Sequence, residues 1–221
     1  MEESTLKYDK THIKKAMQLY LVSDRSWLGS RTLKEDILQA IEGGVTCVQV
    51  REKELDLKSF IEEAKTIQTL CHEYNIPCII NDNVDVMMAI NGDGIHVGQH
   101  DRNAQNVREI IGNDKILGVS VQTVEQALKA QQQGADYLGV GAVFTTSTKT
   151  DADDVSFESL QAICENVNIP VVAIGGISKD NMLLLKGSQI DGVAVVSAIM
   201  AQDNILNATK ELYQKTEELL L

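Results

Sequence analysis

Short apolar runs recur along the chain, and each is followed by a longer stretch in which apolar residues return with the period of a helix. Most of these runs lack the alternation of apolar and polar residues that is typical of a strand with one face in water. They therefore predict strands that are buried on both faces, as in a parallel sheet. The eight predicted strands cover residues 19–22, 45–50, 78–80, 94–97, 116–119, 137–140, 171–174 and 192–196.

Helix start and stop signals occupy the segments between these strands. Thr32 and Glu35 have the spacing of a capping box, and Gly43 predicts that the helix they open ends at Glu42. Further helices are predicted over residues 57–74, 84–90, 103–111, 123–134, 156–166, 178–187 and 198–220, and the first of them has the clearest long amphipathic pattern.

Eight strands that alternate with helices leave two architectures, a closed (β/α)8 barrel and an open doubly wound sheet. The repeat of about 25 residues is close to that of a (β/α)8 barrel, and no G-x-G-x-x-G fingerprint follows the first strand. The sequence therefore favours an α/β protein with a single (β/α)8 TIM barrel. We assign residues 19–221 to the barrel and residues 1–18 to a short N-terminal helical extension that covers the barrel floor.

Charge narrows the range of partners. The chain has 221 residues, with 20 Lys and Arg against 32 Asp and Glu, which gives a formal net charge of -12. Such a surface repels nucleic acid and anionic membranes, so we expect small-molecule ligands and neither of those partners. An anionic ligand would need a local concentration of cations. The sequence leaves the oligomeric state open, with a homo-oligomer among the options.

The four cysteines predict buried, reduced core thiols. Cys47, Cys71, Cys78 and Cys164 form no C-x-x-C pair and have no accompanying histidine cluster, so a zinc site is not expected. No apolar run approaches the ~20 residues that span a bilayer, and the first residues lack a signal-like apolar stretch. We therefore expect a cytoplasmic protein.

Three polar residues alternate where the second predicted strand ends, namely Gln49, Arg51 and Lys53. Because alternate residues of an extended segment point the same way, two cations and an amide share one face. A fork-shaped guanidinium beside an ammonium suits a polyphosphate. The alternative is a surface loop with ordinary charges.

Two carboxylates stand at neighbouring predicted strand ends, Asp82 after the third strand and Asp101 after the fourth. Hard oxygen ligands beside a phosphate-binding face are typical of Mg²⁺, which bridges carboxylates and phosphate oxygens. The alternative for Asp82 is a helix N-cap, and for Asp101 a turn residue or the N-cap before Asn103. His96 lies inside the fourth strand, which favours a hydrogen-bonded core imidazole over a metal ligand.

Loops after the later strands have features of phosphate sites. A hydroxyl-rich loop that contains Lys149 follows the sixth strand and extends to about Val155, a length that favours a lid or binding loop over an ordinary surface loop. Gly176 and Ser197 follow the seventh and eighth strands, where barrels often bind phosphate at a helix N-terminus. The alternative for the glycine pair is a tight strand-to-helix turn.

Seven short motifs therefore stand in order at predicted strand ends or in the loops that follow them. They are Gln49-Val50-Arg51-Glu52-Lys53, Asn81-Asp82, His96-Val97-Gly98-Gln99-His100-Asp101, Gly118-Val119-Ser120, Thr146-Ser147-Thr148-Lys149, Gly175-Gly176-Ile177 and Val196-Ser197.

This series resembles the thiamine phosphate synthase family, in order and with compatible spacing, from about Leu19 to Ala201. The resemblance implies a (β/α)8 barrel that joins hydroxymethylpyrimidine diphosphate to a thiazole phosphate and releases thiamine monophosphate and pyrophosphate. It implies Mg²⁺ as the cofactor, held by Asp82 and Asp101. The residues that would hold the pyrimidine diphosphate are Gln49, Val50, Arg51, Glu52, Lys53, Asn81, Ser120 and Lys149, and those that would hold the thiazole phosphate are Thr146, Ser147, Thr148, Gly176, Val196 and Ser197.

The implied reaction accounts for these residue types, with Arg51, Lys53, Ser120 and Lys149 as the catalytic set. The diphosphate leaves with its electron pair, and cations stabilise the growing charge more in the transition state than in the ground state. The aminopyrimidine ring holds the resulting cation until the thiazole nitrogen attacks. No protein nucleophile is evident, so we hypothesise a dissociative reaction, which a trapped pyrimidine–protein adduct would contradict.

Three positions depart from the family pattern. Thr145 stands where the family often has Pro, His100 where it often has an acidic residue, and Gln122 where many members have His. The nearest rival, a thiazole tautomerase, needs a proton-transferring His near the end of the fifth strand. Two other rivals are a non-catalytic barrel that binds a phosphorylated ligand and a different sugar-phosphate or indole enzyme. The presence of these cations and carboxylates argues against the non-catalytic barrel. A sugar-phosphate or indole enzyme would leave the carboxylate pair and the cluster around Arg51 and Lys53 unexplained.

Overall fold

The computed structural model describes residues 9–145 and 155–221. Eight parallel strands form a closed barrel in sequential order, from β1 next to β2 through to β8, which pairs with β1. This confirms the barrel and excludes the open sheet. The strands are β1 (Leu19–Val22), β2 (Cys47–Val50), β3 (Cys78–Asn81), β4 (Gly94–Val97), β5 (Ile116–Val121), β6 (Tyr137–Val140), β7 (Val171–Ile174) and β8 (Gly192–Val195).

The helices surround the barrel, and side-chain caps begin most of them. The Thr32 and Glu35 capping box is present as predicted. The α-helices are α1 (Lys10–Ala16), α2 (Leu33–Glu42), α3 (Leu57–Glu73), α4 (Val84–Ala89), α5 (Ala104–Ile111), α6 (Val124–Gln132), α7 (Phe157–Asn166), α8 (Ser197–Met200) and α9 (Ile205–Leu220).

The helix predicted over residues 178–187 is wrong. The chain forms only a short 3-10 helix there, Met182–Leu185. The reason lies in Asn181, whose side chain accepts from Ser178 N at 2.8 Å and donates to Gly176 O at 2.8 Å. These bonds hold the start of the segment in a tight turn, and Gly187, with φ +89, ends it.

The helix predicted over residues 198–220 is also wrong in its extent. It is divided into the four-residue α8 and the longer α9, with a break between Met200 and Ile205. Asn204 starts the second helix, because its side chain accepts a hydrogen bond from Asn207 N. The break lets α8 remain at the end of β8 while α9 packs against α2.

The core has two parts. The larger lies between the strands and the outer helices, and the smaller fills the barrel interior. Ile13, Ala16 and Met17 belong to the interior cluster, so α1 closes the amino-terminal end of the barrel. This is where the sequence predicted that the extension would lie, although residues 1–8 are outside the described part. The thiols of Cys47, Cys71 and Cys78 are buried, as predicted, whereas Cys164 is only partly buried.

Because all eight strands are parallel, their carboxyl ends meet at one rim, which we call the carboxyl rim (the residues that directly follow β1 to β8). The opposite end is occupied by α1. In residues 9–145 and 155–221, no helix is both long and apolar enough to cross a membrane.

Candidate active site

The end of β2 divides its side chains between the barrel interior and the carboxyl rim. Gln49 is buried, and its Nε2 donates to the Tyr20 hydroxyl at 2.9 Å. Val50 is fully buried in the outer core. The Arg51 guanidinium lies 3.9 Å from Asp24 Oδ2, and the Lys53 side chain is half-exposed. The structure therefore places both predicted cations at the rim.

Asp82 and Asp101 meet beside Lys53. Lys53 Nζ donates to Asp82 Oδ2 at 2.8 Å. Partial removal from water raises the pKa of the Asp101 carboxyl, and the neighbouring Asp82 carboxylate raises it further, while the Gly98 N–H and Lys53 lower it. Mutual influence of this kind requires the two carboxylates to be close. The pair predicted from two separate strand ends is thus brought together.

Asn side chains take the capping roles that the sequence left open for the two aspartates. Asn83 Oδ1 accepts from Val86 N and caps α4, and Asn103 caps α5. Asp82 is therefore not the cap of α4, and its backbone has φ +58. Asp101 Oδ2 accepts from Gly98 N at 2.7 Å and so also closes the turn after β4.

The Glu52 carboxylate belongs to a partly buried ion cluster with Arg25 and Glu63. Arg25 Nε donates to Glu52 Oε1 at 2.7 Å, and its Nη2 donates to Glu63 Oε1. Burial raises the pKa of Glu52 to about 7, Glu63 adds to the rise, and Arg25 opposes it. A proton on Glu52 would offer a donor to Glu63 Oε2, a buried oxygen that has no partner among the described residues.

Sequence reasoning missed this cluster. It assigned Glu52 to the substrate because of the motif around it, and a contact of the carboxylate with Arg25 has no local signature. The available signal was weak: Arg25 follows the end of β1, close to the same rim. The role of Glu52 toward the substrate stays a prediction.

A continuous chain of hydrogen bonds, which we call the tyrosine relay, joins Gln49, Tyr20, Tyr137, His96 and Ser120 across the barrel interior. Beyond the Gln49 bond, the Tyr20 and Tyr137 hydroxyls lie 2.8 Å apart. His96 Nδ1 lies 2.9 Å from the Tyr137 hydroxyl, and His96 Nε2 lies 2.8 Å from Ser120 Oγ. His96 is a hydrogen-bonded interior imidazole, as predicted.

The two tyrosines of the relay were not singled out from the sequence. Their signal was a phenol inside a buried strand, because a buried Tyr hydroxyl usually has a hydrogen-bond partner. The partners themselves come from other strands, up to 117 positions away. The sequence pattern could therefore indicate that a partner exists, but not which one.

Gly176 approaches the loop that follows β6. Its φ is +63, and a Cβ atom there would lie 2.6 Å from Thr145 O and 2.7 Å from Phe144 O. Only glycine satisfies both constraints without a shift of the backbone. Val196 is half-buried, and Ser197 is the exposed first residue of α8. These residues face the carboxyl rim opposite the aspartate pair, as their strand positions require.

Four predicted site residues, Thr146, Ser147, Thr148 and Lys149, lie outside the described residues. The described chain on either side of them is fixed at the rim. Thr145 O adjoins Gly176, and Val155 N donates to Ala142 O at 2.7 Å.

A cleft of about 390 Å³ opens at the rim between β2, β3 and β4. Lys53, Asn81 and Asp82 line it, together with Arg102. Arg102 is an exposed cation that sequence reasoning did not select, although it directly follows Asp101. The cleft therefore combines two cations with three carboxylates (Glu52, Asp82 and Asp85) and two amides (Asn81 and Asn83). Cations next to carboxylates are a suitable environment for a phosphate group and its counter-ion.

The carboxylates fit a magnesium ion better than a fully protein-bound metal. In the part of the chain that the structure describes, no three His, Cys, Asp or Glu side chains are arranged to hold a metal. Mg²⁺ commonly uses one or two carboxylates and completes its octahedron with water and substrate phosphates. Asp82 and Asp101 supply that number of ligands.

Comparison with known proteins agrees with this geometry. A sequence model of the family described as thiamine monophosphate synthase matches residues 19–199. The thiamine-phosphate synthase of Clostridium tetani is 54% identical over 194 residues, which are 88% of this chain and 93% of the relative. That of Ruminiclostridium cellulolyticum is 52% identical over 196 residues, 89% of this chain and 93% of the relative. The solved structure of thiamine phosphate pyrophosphorylase from Pyrococcus furiosus superimposes with a TM-score of 0.88 at 39% identity, covering 95% of this chain and 100% of that one.

Proposed function

This chain belongs to the thiamine monophosphate synthase family, and from that membership we propose that its carboxyl rim is the site of the family reaction. The protein is an enzyme of thiamine biosynthesis. It transfers the pyrimidinylmethyl group of 4-amino-2-methyl-5-hydroxymethylpyrimidine diphosphate to a thiazole phosphate, and it forms thiamine monophosphate and pyrophosphate.

The diphosphate of the pyrimidine substrate binds at the ends of β2 and β3 in this proposal. The observation that supports it most directly is the 2.8 Å contact of Lys53 Nζ with Asp82 Oδ2, which joins the cationic face to the carboxylate pair. Arg51 offers the planar fork that suits two phosphate oxygens, and Asn81 offers an amide from the cleft wall. Lys149 would complete the set from the loop after β6.

Asp82 and Asp101 would hold Mg²⁺ at the same place. When bound, the ion neutralises charge on the diphosphate oxygens. The raised pKa of Asp101 reflects its partial burial and, in addition, the repulsion between the two carboxylates when no cation lies between them. Lys53 is the protein cation that offsets this repulsion in the structure as described.

The reaction then requires the protein to bind, orient and stabilise charge. The bond between the methylene carbon and the diphosphate oxygen breaks, and its electron pair leaves with pyrophosphate. The methylene cation is shared with the aminopyrimidine ring, and the thiazole nitrogen attacks it to form the new C–N bond. Arg51 and Lys53 stabilise the departing charge, and the barrel holds both substrates within reach of each other.

The thiazole phosphate would bind on the other side of the rim. The Gly176 backbone is free of a side chain that would block a close approach, and Ser197 offers a hydroxyl at the start of α8. Thr146, Ser147 and Thr148 would add hydroxyls from the loop, and Val196 would contribute its backbone. These assignments extend the family resemblance to this chain residue by residue.

The tautomerase reading receives no support. Each of the relatives described above is named as a synthase or pyrophosphorylase, and Gln122 occupies the position where that alternative needs a histidine. A non-catalytic binding barrel would not require the lysine, arginine and paired carboxylates. We propose in addition that the enzyme works in the cytoplasm on small molecules alone, without nucleic acid or membrane partners.

The test is the Mg²⁺-dependent formation of thiamine monophosphate from the two substrates, with pyrophosphate measured in parallel. We expect both products in equal amounts, and only when Mg²⁺ is present. Lys149→Ala should lower kcat, while Lys34→Ala, an exposed lysine on α2, serves as its control. Folded enzyme that binds the thiazole phosphate but forms neither product would refute the assignment.

A further inference from the structure

The tyrosine relay runs without a break between two residues that are both proposed to bind the pyrimidine substrate. Gln49 and Ser120, its two ends, lie on β2 and β5. The three residues between them, Tyr20, Tyr137 and His96, have no assigned part in the reaction. Their side chains lie inside the barrel, below the carboxyl rim.

Because Tyr20 and Tyr137 are buried, their hydroxyls need hydrogen-bond partners within the protein. Tyr20 is 1% exposed and Tyr137 is 0% exposed, so their hydroxyls cannot be satisfied by bulk water. A buried hydroxyl without a partner costs about 1–3 kcal/mol. Each hydroxyl therefore keeps its place in the relay.

Two glycines provide the space for it. A Cβ atom on Gly118 would overlap the Tyr137 ring and lie 2.5 Å from His96 Nδ1. A Cβ atom on Gly139 would lie 3.1 Å from His96 Cε1. The missing side chains of β5 and β6 are what allow the imidazole and the phenol to meet at 2.9 Å.

One direction of hydrogen bonding, which starts at Gln49, uses the hydrogens of both tyrosine hydroxyls within the relay. Gln49 Nε2 can only donate, so the Tyr20 hydroxyl accepts from it, and in this direction Tyr20 gives its own hydrogen to Tyr137. Tyr137 then donates to His96 Nδ1, which must be unprotonated. A neutral imidazole with a bare Nδ1 has its hydrogen on Nε2, and this hydrogen is donated to Ser120 Oγ.

Both ends of the relay are thereby set. The Gln49 carbonyl oxygen is left to accept, because no described residue donates to it, while one of the two Nε2 hydrogens is used by Tyr20. The Ser120 hydroxyl accepts from His96, so its own hydrogen is left to donate, and no other described side chain bonds to Ser120 Oγ. The Gln49 carbonyl oxygen and the Ser120 hydroxyl thus offer one acceptor and one donor to a ligand at the rim.

We propose that the relay determines specificity for the aminopyrimidine, with Tyr20, Tyr137 and His96 as positioning residues. An aminopyrimidine has an exocyclic N–H donor and ring-nitrogen acceptors, which match an amide oxygen and a hydroxyl hydrogen. An oxopyrimidine, in which a C=O replaces the amino group and a ring nitrogen gains hydrogen, reverses both. The inference rests on the proposed function, because it takes Gln49 and Ser120 as ligands of that substrate.

The first experiment tests the direction of the hydrogen bonds in the relay and does not depend on an activity assay. ¹⁵N-histidine NMR of the free enzyme distinguishes a neutral ring protonated on Nε2 from one protonated on Nδ1. The chain has four histidines, and comparison with His96→Gln identifies the signals of His96. Protonation on Nε2 supports the relay as drawn. Protonation on Nδ1 would overturn it, because Ser120 would then be the donor to His96.

The second experiment separates positioning from stability. Tyr137→Phe interrupts the relay at its centre, and Thr209→Val, which removes a buried hydroxyl bonded to Ile205 O on α9, is the matched control. We expect Tyr137→Phe to raise KM for the pyrimidine diphosphate at least about tenfold. KM for the thiazole phosphate should change less than about twofold, and Thr209→Val should change neither beyond that.

The same variants are then assayed with the oxopyrimidine diphosphate as a competing substrate. Wild-type enzyme should discriminate against it by a factor of at least about 100, and Tyr137→Phe should reduce that factor. Equal rises in both KM values, or unchanged discrimination, would contradict the proposal. A wild-type enzyme that makes no thiamine monophosphate would refute the proposed function instead, and the NMR result would still decide the direction of the relay.

Discussion

Lys53 donates a 2.8 Å hydrogen bond to the carboxylate of Asp82, although the two residues are 29 positions apart and follow different strands. The contact exists because β2 and β3 are neighbours in the barrel and both end at the carboxyl rim. It places a protein cation where two carboxylates approach each other. A phosphate group and a divalent cation that enter this place would each find a partner of opposite charge.

Removal of either carboxylate charge should abolish most of the activity. We expect Asp82→Asn and Asp101→Asn each to lower kcat by at least about 100-fold and to raise the Mg²⁺ concentration needed for half-maximal rate, because each loses a proposed ligand. Steady-state rates over a series of Mg²⁺ concentrations would measure both effects.

The control for this pair is the neighbouring cap, Asn83→Ala. It removes the bond to Val86 N and should cost about 1 kcal/mol of stability, with the Mg²⁺ dependence unchanged. Aspartate variants that merely resemble Asn83→Ala in rate and stability would show that the carboxylates have a structural role only.

Stability should depend on pH through Glu52. Its folded-state pKa is raised from 4.5 to about 7, so between these values the folded protein holds a proton that the unfolded chain has lost. Unfolding then releases a proton, and the free energy of unfolding falls as the pH rises through this window, levelling off above about 7. Glu52→Gln should flatten this slope, as measured by urea unfolding at several pH values from 5 to 8.

The matched control is Glu62→Gln, since Glu62 lies on α3 beside Glu63 but its side chain is 69% exposed. It should keep the slope of the wild type. If Glu52→Gln also keeps the wild-type slope, the proton is held elsewhere and the Arg25 cluster is fully ionised near neutral pH.

Substitution of Gly176 should harm both the fold and the use of the thiazole phosphate. In Gly176→Ala the methyl group meets the Thr145 and Phe144 carbonyls at 2.6 and 2.7 Å, in addition to the strain of φ +63. We expect a loss of about 2–4 kcal/mol of stability and a raised KM for the thiazole phosphate. Thermal unfolding and initial rates would provide the two values.

Gly29→Ala is the control that measures the cost of a positive φ alone, without a steric contact. Gly29 has φ +57, and nothing lies within 4 Å of its would-be Cβ, so only the conformational strain of about 1–2 kcal/mol should appear. Equal losses in the two variants would mean that the loop after β6 moves aside from Gly176 without cost.

The barrel floor provides a prediction that is independent of the active site. Met17 is fully buried in the interior cluster, and Met17→Ala should cost about 2–5 kcal/mol because it leaves a cavity beneath the strands. Both KM values should stay within about twofold of the wild type, because the carboxyl rim is at the other end. A large change in KM with an unchanged melting temperature would contradict this division of the barrel.

The sequence by itself determined the strands and favoured their closure into a barrel. Runs such as Val171–Ile174 are apolar on both faces, and only a sheet covered on both sides buries them. Because the strand that ends before Asp82 precedes the one that ends before Asp101, their neighbouring positions at the rim followed from the strand order alone. These features depend on residues close together in the chain.

Tertiary structure decided what the local pattern left open. Asp82 had the position of a helix cap, but Asn83 caps α4. The pattern of residues 178–187 predicted a helix, but the Asn181 side chain is bonded to Gly176 and Ser178 instead. In both places the same residues were compatible with two local structures. Tertiary contacts, which the sequence pattern does not show, decided between them.

The relay and the Arg25 cluster depend even more on tertiary contacts that the sequence pattern could not predict. Tyr20 and Tyr137 read as buried strand residues, and Glu52 as one member of a charged motif. Their roles are set by partners on other strands and helices, which come within hydrogen-bond distance only when the barrel closes. Periodicity identifies which face a residue takes, because that depends on its neighbours in the chain. The identity of a hydrogen-bond partner depends on the register of the whole sheet, and only the tertiary structure fixes it.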